Sequence, residues 1–123
     1  MKKILIVEDD KAIAMTLGTR VRAAGYTVIN AFDAIGGVSM AQRETPDLIL
    51  LDLMMPAGGG LRVAERVRAL PKTSSTPIIF LTASKDPAMR DEAMTHSPVA
   101  FLEKPYDAAE LLTHIQDALG VTA

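Results

Sequence analysis

Five side chains that could do chemistry stand at the ends of apolar runs in this sequence: Glu8, Asp9, Asp52, Thr82 and Lys104. A carboxylate such as that of Asp52 can attack a phosphoryl group and form an acyl phosphate. A hydroxyl and an ammonium, which Thr82 and Lys104 supply, would hold the remaining phosphoryl oxygens. Taken one at a time, these residues are also typical of a helix start, a strand end or an exposed loop. Their occurrence together predicts a site.

Three carboxylates in one place need a compensating feature. Two carboxylates about 4 Å apart repel each other by roughly 4 kcal/mol at an effective dielectric constant near 20. Glu8, Asp9 and Asp52 can therefore share a site only if a cation binds, a pKa is raised or the groups are well separated. Hard oxygen ligands with some water suit Mg²⁺, and Mn²⁺ could take its place. A divalent ion would also neutralise incoming phosphoryl oxygens.

The apolar runs before these residues predict the strands that position them. Residues 48–51 are four consecutive aliphatic residues that end at Asp52, a pattern typical of a strand buried on both faces in a parallel sheet. Pro56 ends the backbone pairing soon afterwards. Parallel strands bring their carboxyl ends to one edge, where open sheets place their sites. The predicted strands are residues 3–7, 26–31, 48–52, 77–81 and 99–102.

Helical patterns alternate with these strands. Asp9 or Asp10 is expected to cap the first helix, and Gly25 to end it. The second helix is predicted over 34–44, although two glycines weaken its pattern. Residues 57–60 are expected to form a flexible loop before the third helix. The apolar positions predicted for buried helix sides are Ile13, Leu17 and Val21, then Leu61, Ala64, Val67 and Leu70, and finally Leu111, Ile115 and Leu119.

The last two helices have clear terminal signals. Asp86 with Pro87 predicts the start of the fourth helix, which should end near His96 because Pro98 disfavours helix just before it. Asp107 is expected to cap the last helix, which runs to about residue 119. Five strand-to-helix alternations predict an α/β fold with a parallel sheet and right-handed crossovers.

Length and composition suit one compact domain. The chain has 123 residues, of which 49 % are hydrophobic, and a net charge of −2. There is no block of like charges typical of a nucleic-acid arm, and without cysteine there is no disulfide or thiolate chemistry. The apolar part of the N-terminus is too short for a signal peptide, and no run approaches a membrane span. A cytoplasmic protein that contacts neither membrane nor nucleic acid is expected.

Four motifs in order resemble the receiver domain of bacterial two-component response regulators. They are ILIVEDD, LILLDLMMP, FLTAS and FLEKPY, and the resemblance covers nearly all of residues 1–123, which it predicts to be one receiver domain. It implies a doubly wound, flavodoxin-like five-stranded sheet of order 2-1-3-4-5 with helices on both faces. It also implies a phosphorylated signalling switch rather than an enzyme, with autocatalytic phosphotransfer and slow self-dephosphorylation at most.

The resemblance assigns roles to individual residues. It implies that Asp52 is the phosphoacceptor and that Glu8 and Asp9 hold Mg²⁺, with the backbone carbonyl of Met54 as a further ligand. Thr82 and Lys104 would contact the phosphoryl group. Three further features are implied nearby: Ala83 as the small residue that leaves the phosphoryl group room, Phe101 as a switch aromatic that responds to Thr82, and a cis peptide between Lys104 and Pro105.

The resemblance also implies partners. A histidine kinase or a phosphotransfer protein would donate the phosphoryl group. An output protein would bind the face formed by the fourth helix, the fifth strand and the last helix. The leading expectation is a stand-alone receiver, as in chemotaxis signalling or a phosphorelay, and one domain of a larger protein is the alternative.

Three departures from the family pattern concern regions near the site. Gly59-Gly60 stands where many relatives have Asp-Gly, which suggests a more mobile loop. Ser97-Pro98 stands where many have Gly-Ala, before the fifth strand. Met54 is apolar where some relatives are polar, which could change the lifetime of the phosphorylated state. The departures at Gly59 and at Ser97-Pro98 keep open a degenerate receiver that acts as a phosphorylation-independent interaction module.

Other functions fit the sequence less well. An Asp-nucleophile phosphatase usually has an acid two residues after the nucleophile, where this chain has Met54. A flavin carrier would need hydroxyls and glycines after the first strand, where acids stand. The glycines at 58–60 lack the lysine of a phosphate loop. His96 and His114 are expected to be surface residues, the methionines core filler, and the arginines of the third helix a solvated face.

Overall fold

The computed structural model describes residues 1–56 and 59–120, which form a single five-stranded parallel sheet with five helices. The strands are β1 (Lys3–Val7), β2 (Thr27–Ala31), β3 (Leu48–Asp52), β4 (Ile78–Thr82) and β5 (Ala100–Glu103). The helices are α1 (Lys11–Ala23), α2 (Ala34–Glu44), α3 (Gly59–Ala69), α4 (Pro87–Met94) and α5 (Ala108–Leu119). The strand order is β2-β1-β3-β4-β5, which confirms the predicted doubly wound fold.

The sheet separates two apolar cores because alternate residues of each strand point to opposite faces. Leu51 and Phe80 lie on the face covered by α2, α3 and α4, together with Val63 and Val67 of α3. The opposite face is covered by α1 and α5. Its main members are Ile4, Ile6, Leu17, Val21, Leu48, Leu50, Ile79, Leu81, Leu111 and Ile115. Every residue of β3 and β4 is buried, as expected for central strands covered on both faces.

Strand register brings the predicted site residues to one edge of the sheet. Leu51 pairs with Val7, so the next residues of β3 and β1, Asp52 and Glu8, are level with each other. Asp52 lies opposite Leu81 of β4, and Thr82 is the next residue of that strand. The pairing continues past the strand ends: the Leu53 N–H donates to Leu81 O at 3.0 Å, and the Lys104 N–H donates to Thr82 O at 2.7 Å. This edge is therefore tied together by backbone hydrogen bonds.

Aspartates cap four of the helices. Asp10, not Asp9, caps α1, since its side chain accepts from the N–H groups of Ala12 and Ile13. This leaves Asp9 outside the cap. The other caps are Asp33 for α2, Asp86 for α4 and Asp107 for α5.

Several element details differ from the sequence predictions. Ile13 is 43 % exposed, because Ala14 occupies the buried position of that turn. Helix α3 begins at Gly59, so Gly59 and Gly60 are helical rather than part of a loop. The expected mobile loop otherwise falls on residues 57 and 58, which lie outside the described residues. Helix α4 ends at Met94, with Thr95 as its C-cap, which agrees with the predicted end near His96.

Gly60 allows the close approach of α3 to the end of β3. A Cβ atom at this position would overlap the carbonyl oxygen of Asp52 and lie 2.6 Å from Leu53 Cα. Only glycine therefore fits here without a backbone shift. Within residues 1–56 and 59–120, no helix is long and apolar enough to cross a membrane.

Candidate phosphoacceptor site

Three carboxylates meet at the carboxyl edge of the sheet. Glu8, Asp9 and Asp52 each offer an oxygen, and these oxygens lie within 4.8 Å of one another. Glu8 and Asp52 are only 4 % and 5 % exposed, whereas Asp9 is open to solvent. The site is thus a cluster of two buried acids with one exposed acid at its mouth.

Lys104 supplies a positive charge to this cluster. Its Nζ lies 3.5 Å from Glu8 Oε1 and 3.7 Å from Asp52 Oδ2. With every acid ionised, three negative charges face one positive charge, which leaves −2. A divalent cation would balance this charge, and the three carboxylates are hard oxygen donors. The donor set therefore fits Mg²⁺, as predicted from the sequence.

Backbone N–H groups fix both buried carboxylates. The Met54 N–H donates to Asp52 Oδ1 at 2.8 Å, and the Asp10 N–H donates to Glu8 Oε2 at 3.0 Å. Each carboxylate is therefore oriented by the residue two positions later in the chain. These bonds leave Asp52 Oδ2 and Glu8 Oε1 facing Lys104.

Burial and the crowding of the acids raise the proton affinity of Glu8. Burial raises the pKa of Glu8 from 4.5 to about 7, and a hydrogen bond shared with Asp52 raises it as well. The Asp10 N–H acts in the opposite direction. At neutral pH the Glu8 carboxyl therefore carries a proton for a substantial part of the time, which is one way in which the acids tolerate each other.

Tyr106 is a neighbour of the acids that the sequence analysis did not single out. Burial raises the pKa of its phenol, and the negative charges of Glu8 and Asp52 raise it further. The available signal was its position in FLEKPY, directly after the Lys104–Pro105 peptide, which is cis. Tyr106 also packs against the core beneath α1 and α5.

Thr82 and Ala83 lie at the same edge of the sheet, where the neighbouring strand β4 ends. Thr82 is fully buried, and its Oγ1 accepts from the Ser84 N–H at 3.0 Å. Ala83 is exposed. The side chain of Met54 is also exposed, at 49 %, and is not core filler, whereas Met55 is buried.

Phe101 lies apart from the acids, on the face that α4 covers. Its ring is partly buried and packs at a tilt against Phe80, with 6.3 Å between the ring centroids. The guanidinium of Arg90 lies 4.9 Å from the centroid of the Phe101 ring. Glu103 holds Arg90 at 3.8 Å and Lys85 at 3.1 Å. A cation and an ion-pair network therefore cover the predicted switch aromatic.

The two histidines and the arginines of α3 were expected at the surface, and the structure shows where they lie. His96 and His114 are partly exposed, and neither joins a metal-ligand cluster in the part of the chain that the structure describes. Arg68 is not part of a solvated face, since its guanidinium donates to the carbonyls of His96, Ser74 and Thr76. Helix spacing alone did not reveal this inward arginine.

Residues 4–116 match the family model of the response regulator receiver domain. The chain belongs to this family. Receiver domains are the phosphoacceptor signalling domains of two-component systems, and the resemblance noted from the motifs is confirmed. The match includes all three acids, Thr82 and Lys104.

Relatives and solved structures agree with this assignment. The receiver domain is 35 % identical over 122 residues to the DNA-binding dual master transcriptional regulator RpaA of Synechocystis sp., covering 99 % of this chain and 51 % of that protein. It is 35 % identical over 119 residues to the response regulator ArlR of Staphylococcus saprophyticus, covering 97 % and 53 %. The chain thus spans about half the length of the curated relatives it matches.

Two solved structures show the same fold. The chemotaxis protein CheY4 of Vibrio cholerae superposes with a TM-score of 0.88 at 30 % identity, over 97 % of this chain and 99 % of that one. The receiver domain of the sensor histidine kinase PA1611 of Pseudomonas aeruginosa superposes with a TM-score of 0.88 at 31 % identity, over 98 % of each chain. That structure holds a magnesium ion coordinated in the active-site cleft.

Proposed function

We propose that residues 1–123 form one receiver domain in which Asp52 is phosphorylated in a Mg²⁺-dependent reaction. The observation that carries the proposal is the setting of Asp52, whose carboxylate is buried, oriented by the Met54 N–H and faced by Lys104. Glu8 and Asp9 lie within metal-ligand distance of the same group. Burial and the facing Lys104 distinguish Asp52 from an exposed capping aspartate such as Asp86, which also accepts from a backbone N–H.

Each residue at the edge has a defined role in this proposal. An Asp52 oxygen bonds to phosphorus while the bond from phosphorus to the donor histidine nitrogen breaks. Lys104 and the Thr82 hydroxyl bind the transferred phosphoryl oxygens. The exposed Ala83 leaves room for the group beside Thr82.

The metal site is formed by Glu8, Asp9, Asp52 and the backbone carbonyl of Met54. Bound Mg²⁺, or Mn²⁺, would neutralise the acids and the incoming phosphoryl oxygens. Glu8 must lose its proton to act as a ligand, because a carboxylate binds metal in its ionised form. The burial that raises the pKa of Glu8 therefore also sets how tightly the site binds metal near neutral pH.

The partners follow from the same proposal. A histidine kinase or a phosphotransfer protein donates the phosphoryl group, and an output protein binds the face of α4, β5 and α5. Phosphorylation draws Thr82 toward the new oxygens, and Phe101 turns into the space released. The switch is a shift between two packings, which requires that the phosphoryl group favour one of them. A cytoplasmic location and the absence of direct nucleic-acid contact stay predictions from the sequence.

The intact mass of the protein after incubation with Mg²⁺ and a small acyl phosphate tests the proposal. We expect wild type to gain one phosphoryl group, in a reaction that stops when Mg²⁺ is chelated, and Asp52→Asn to gain none. Asp47→Asn is the matched control, since Asp47 lies just before β3, at its other end, and accepts from the Lys3 N–H. An unchanged gain in Asp52→Asn would remove Asp52 as the acceptor. No gain in wild type, joined to no Mg²⁺ binding, would favour a phosphorylation-independent interaction module.

A further inference from the structure

A groove of about 320 Å³ runs between α2 and α3, away from the carboxylates. The two helices approach closely at their N-terminal ends, where a Cβ at Gly59 would lie 3.4 Å from the Ala34 Cβ. Side chains farther along each helix form the two walls. The groove lies outside the face of α4, β5 and α5 that the proposed function assigns to output.

The α2 wall combines aliphatic and polar side chains. Ile35, Val38, Ser39 and Gln42 follow the spacing i, i+3, i+4 and i+7, so they form one stripe along the helix. Ile35 is 86 % exposed, so most of its side-chain surface is available for contact with a partner. The stripe thus offers an aliphatic anchor point beside two groups that form hydrogen bonds.

The α3 wall is cationic. Arg62 and Arg66 are one helical turn apart and both line the groove. Within residues 1–56 and 59–120, neither forms an ion pair. The chain as a whole has a net charge of −2, so this pair of guanidiniums is a local positive patch on an acidic protein.

We propose that this α2–α3 groove docks an amphipathic, acidic helix of a partner protein. Aliphatic residues of the partner would pack against Ile35 and Val38, since two adjacent helices leave a channel that accepts the apolar ridge of a third. Carboxylates flanking that ridge would pair with Arg62 and Arg66, whose planar guanidiniums bind carboxylates through two hydrogen bonds. The proposal does not depend on phosphorylation of Asp52.

A synthetic helical peptide of about 15 residues tests this, because isolated helices become stable near that length. It has leucines along one stripe and glutamates on either side, and carries a fluorophore for anisotropy measurements. We expect saturable binding to wild type and to Asp52→Asn alike. Ile35→Ser should weaken binding at least fivefold, and Arg62→Glu combined with Arg66→Glu at least tenfold.

Matched controls separate this groove from the rest of the surface. Arg43→Glu changes an exposed arginine of α2 that does not line the groove, and Ile13→Ser changes an exposed aliphatic residue in the groove between α1 and α5. Both should bind the peptide as wild type does. A peptide with each glutamate replaced by lysine should prefer the arginine-to-glutamate double variant over wild type by at least fivefold.

Four results would overturn the proposal. They are the absence of saturable binding to wild type, binding that survives the Ile35 and arginine changes, binding lost in Ile13→Ser, and failure of the charge-swapped peptide to prefer the double variant. Sedimentation of the protein alone adds a further check. Self-association that Ile35→Ser abolishes would assign the groove to a second copy of the chain instead.

Discussion

The edge that holds the acids and the face formed by α4 and β5 are made of different kinds of contact. At the edge, Glu8 and Asp52 are buried and each is bound by a backbone N–H. At the α4–β5 face, Glu103 is held by Arg90 and Lys85, and all three are exposed. Burial and backbone hydrogen bonds fix the first region. Exposed ion pairs, each worth about 0–1 kcal/mol, hold the second.

This difference has a consequence for signalling. Groups that perform phosphotransfer need fixed geometry, because a small displacement of an oriented carboxylate slows the reaction strongly. A surface that reports phosphorylation must exist in two arrangements of similar free energy. Under the proposed function, the rigid edge supplies the chemistry and the loosely held Phe101 region supplies the response.

Gly60 is the position at which a substitution should disturb the rigid edge most. Gly60→Ala places a Cβ against the Asp52 carbonyl and Leu53 Cα, so we expect a loss of about 2–4 kcal/mol in the free energy of unfolding. Phosphoryl uptake should fall with it, since the acceptor backbone must shift. Urea denaturation measures the first effect and intact mass the second.

Gly18→Ala is the control for the Gly60 substitution. Its Cβ would meet the flexible Arg22 side chain at 3.4 Å and Val28 at 3.6 Å, both ordinary contacts. We expect stabilisation by about 0.5–1 kcal/mol, because alanine is the better residue inside a helix. If the two alanine variants unfold alike, the tight contact at Gly60 is not what restricts this position.

Arg68 provides a contrast to the exposed ion pairs of the α4–β5 face, because its partly buried guanidinium makes three hydrogen bonds close to that face. Its guanidinium donates to His96 O at 2.9 Å, to Thr76 O at 2.6 Å and to Ser74 O at 3.2 Å. Arg68→Met should cost about 2 kcal/mol in unfolding free energy, since charged donors are lost from three carbonyls. Amide hydrogen exchange at residues 95–97 and at Val99 should also speed up.

Arg66→Met provides the matched arginine loss for that experiment. Arg66 is exposed, two residues before Arg68, and the substitution should change the unfolding free energy by less than about 0.5 kcal/mol. Equal losses in the two variants would mean that the three carbonyl contacts of Arg68 add nothing to stability.

The protonation of Glu8 tests how strongly the crowding of acids at this edge affects their charge. The pKa of Glu8 is raised to about 7 from 4.5, so metal binding must displace a proton below pH 7. Mg²⁺ affinity should rise by up to about tenfold per pH unit from pH 5.5 toward 7, and then level off. Without Mg²⁺, the free energy of unfolding should fall between pH 4.5 and 7, because the folded state keeps a proton that the unfolded state releases.

Titration calorimetry at several pH values checks the metal dependence. Glu8→Gln should bind more weakly and lose the slope below pH 7, whereas Asp10→Asn, which keeps the helix cap, should retain it. A slope that persists in Glu8→Gln would assign the proton to another group.

Only a small effect on stability is expected at the α4–β5 face. Arg90→Ala removes the cation above Phe101 and one ion pair to Glu103, both exposed. The unfolding free energy should change by less than about 1 kcal/mol, while the Phe101 ring gains solvent exposure, visible in aromatic NMR spectra. A loss above 2 kcal/mol would show that this face is as firmly held as the edge.

Some of this molecule was predictable from the sequence for simple reasons. Apolar runs such as 48–51 mark strands covered on both faces, and parallel strands must bring Glu8, Asp52 and Lys104 to one edge. Capping aspartates marked the starts of α4 and α5. These patterns predicted the parallel α/β fold and the grouping of the acids with Lys104, whereas the strand order was implied by the resemblance to receiver domains.

The errors have a physical origin in tertiary contacts. Periodicity placed Ile13 in the core, but the small Ala14 fits closer to the sheet and Ile13 turns outward. Gly59 and Gly60 were predicted to lie in a loop because glycine weakens helices, but both are helical, and close packing on Asp52 requires glycine at position 60. Arg68 is turned inward by three carbonyls from other segments, which no local pattern reveals.

The link between the two regions is best tested by amide NMR spectra recorded with and without Mg²⁺ and a small acyl phosphate. In wild type, we expect phosphorylation to shift amides at the carboxyl edge and also along α4 and β5, including Phe101. In Thr82→Ala, the edge should still shift while the shifts along α4 and β5 are largely lost. Equal shifts along α4 and β5 in both proteins would contradict the proposed role of Thr82 as the connection between the site at Asp52 and the proposed output face.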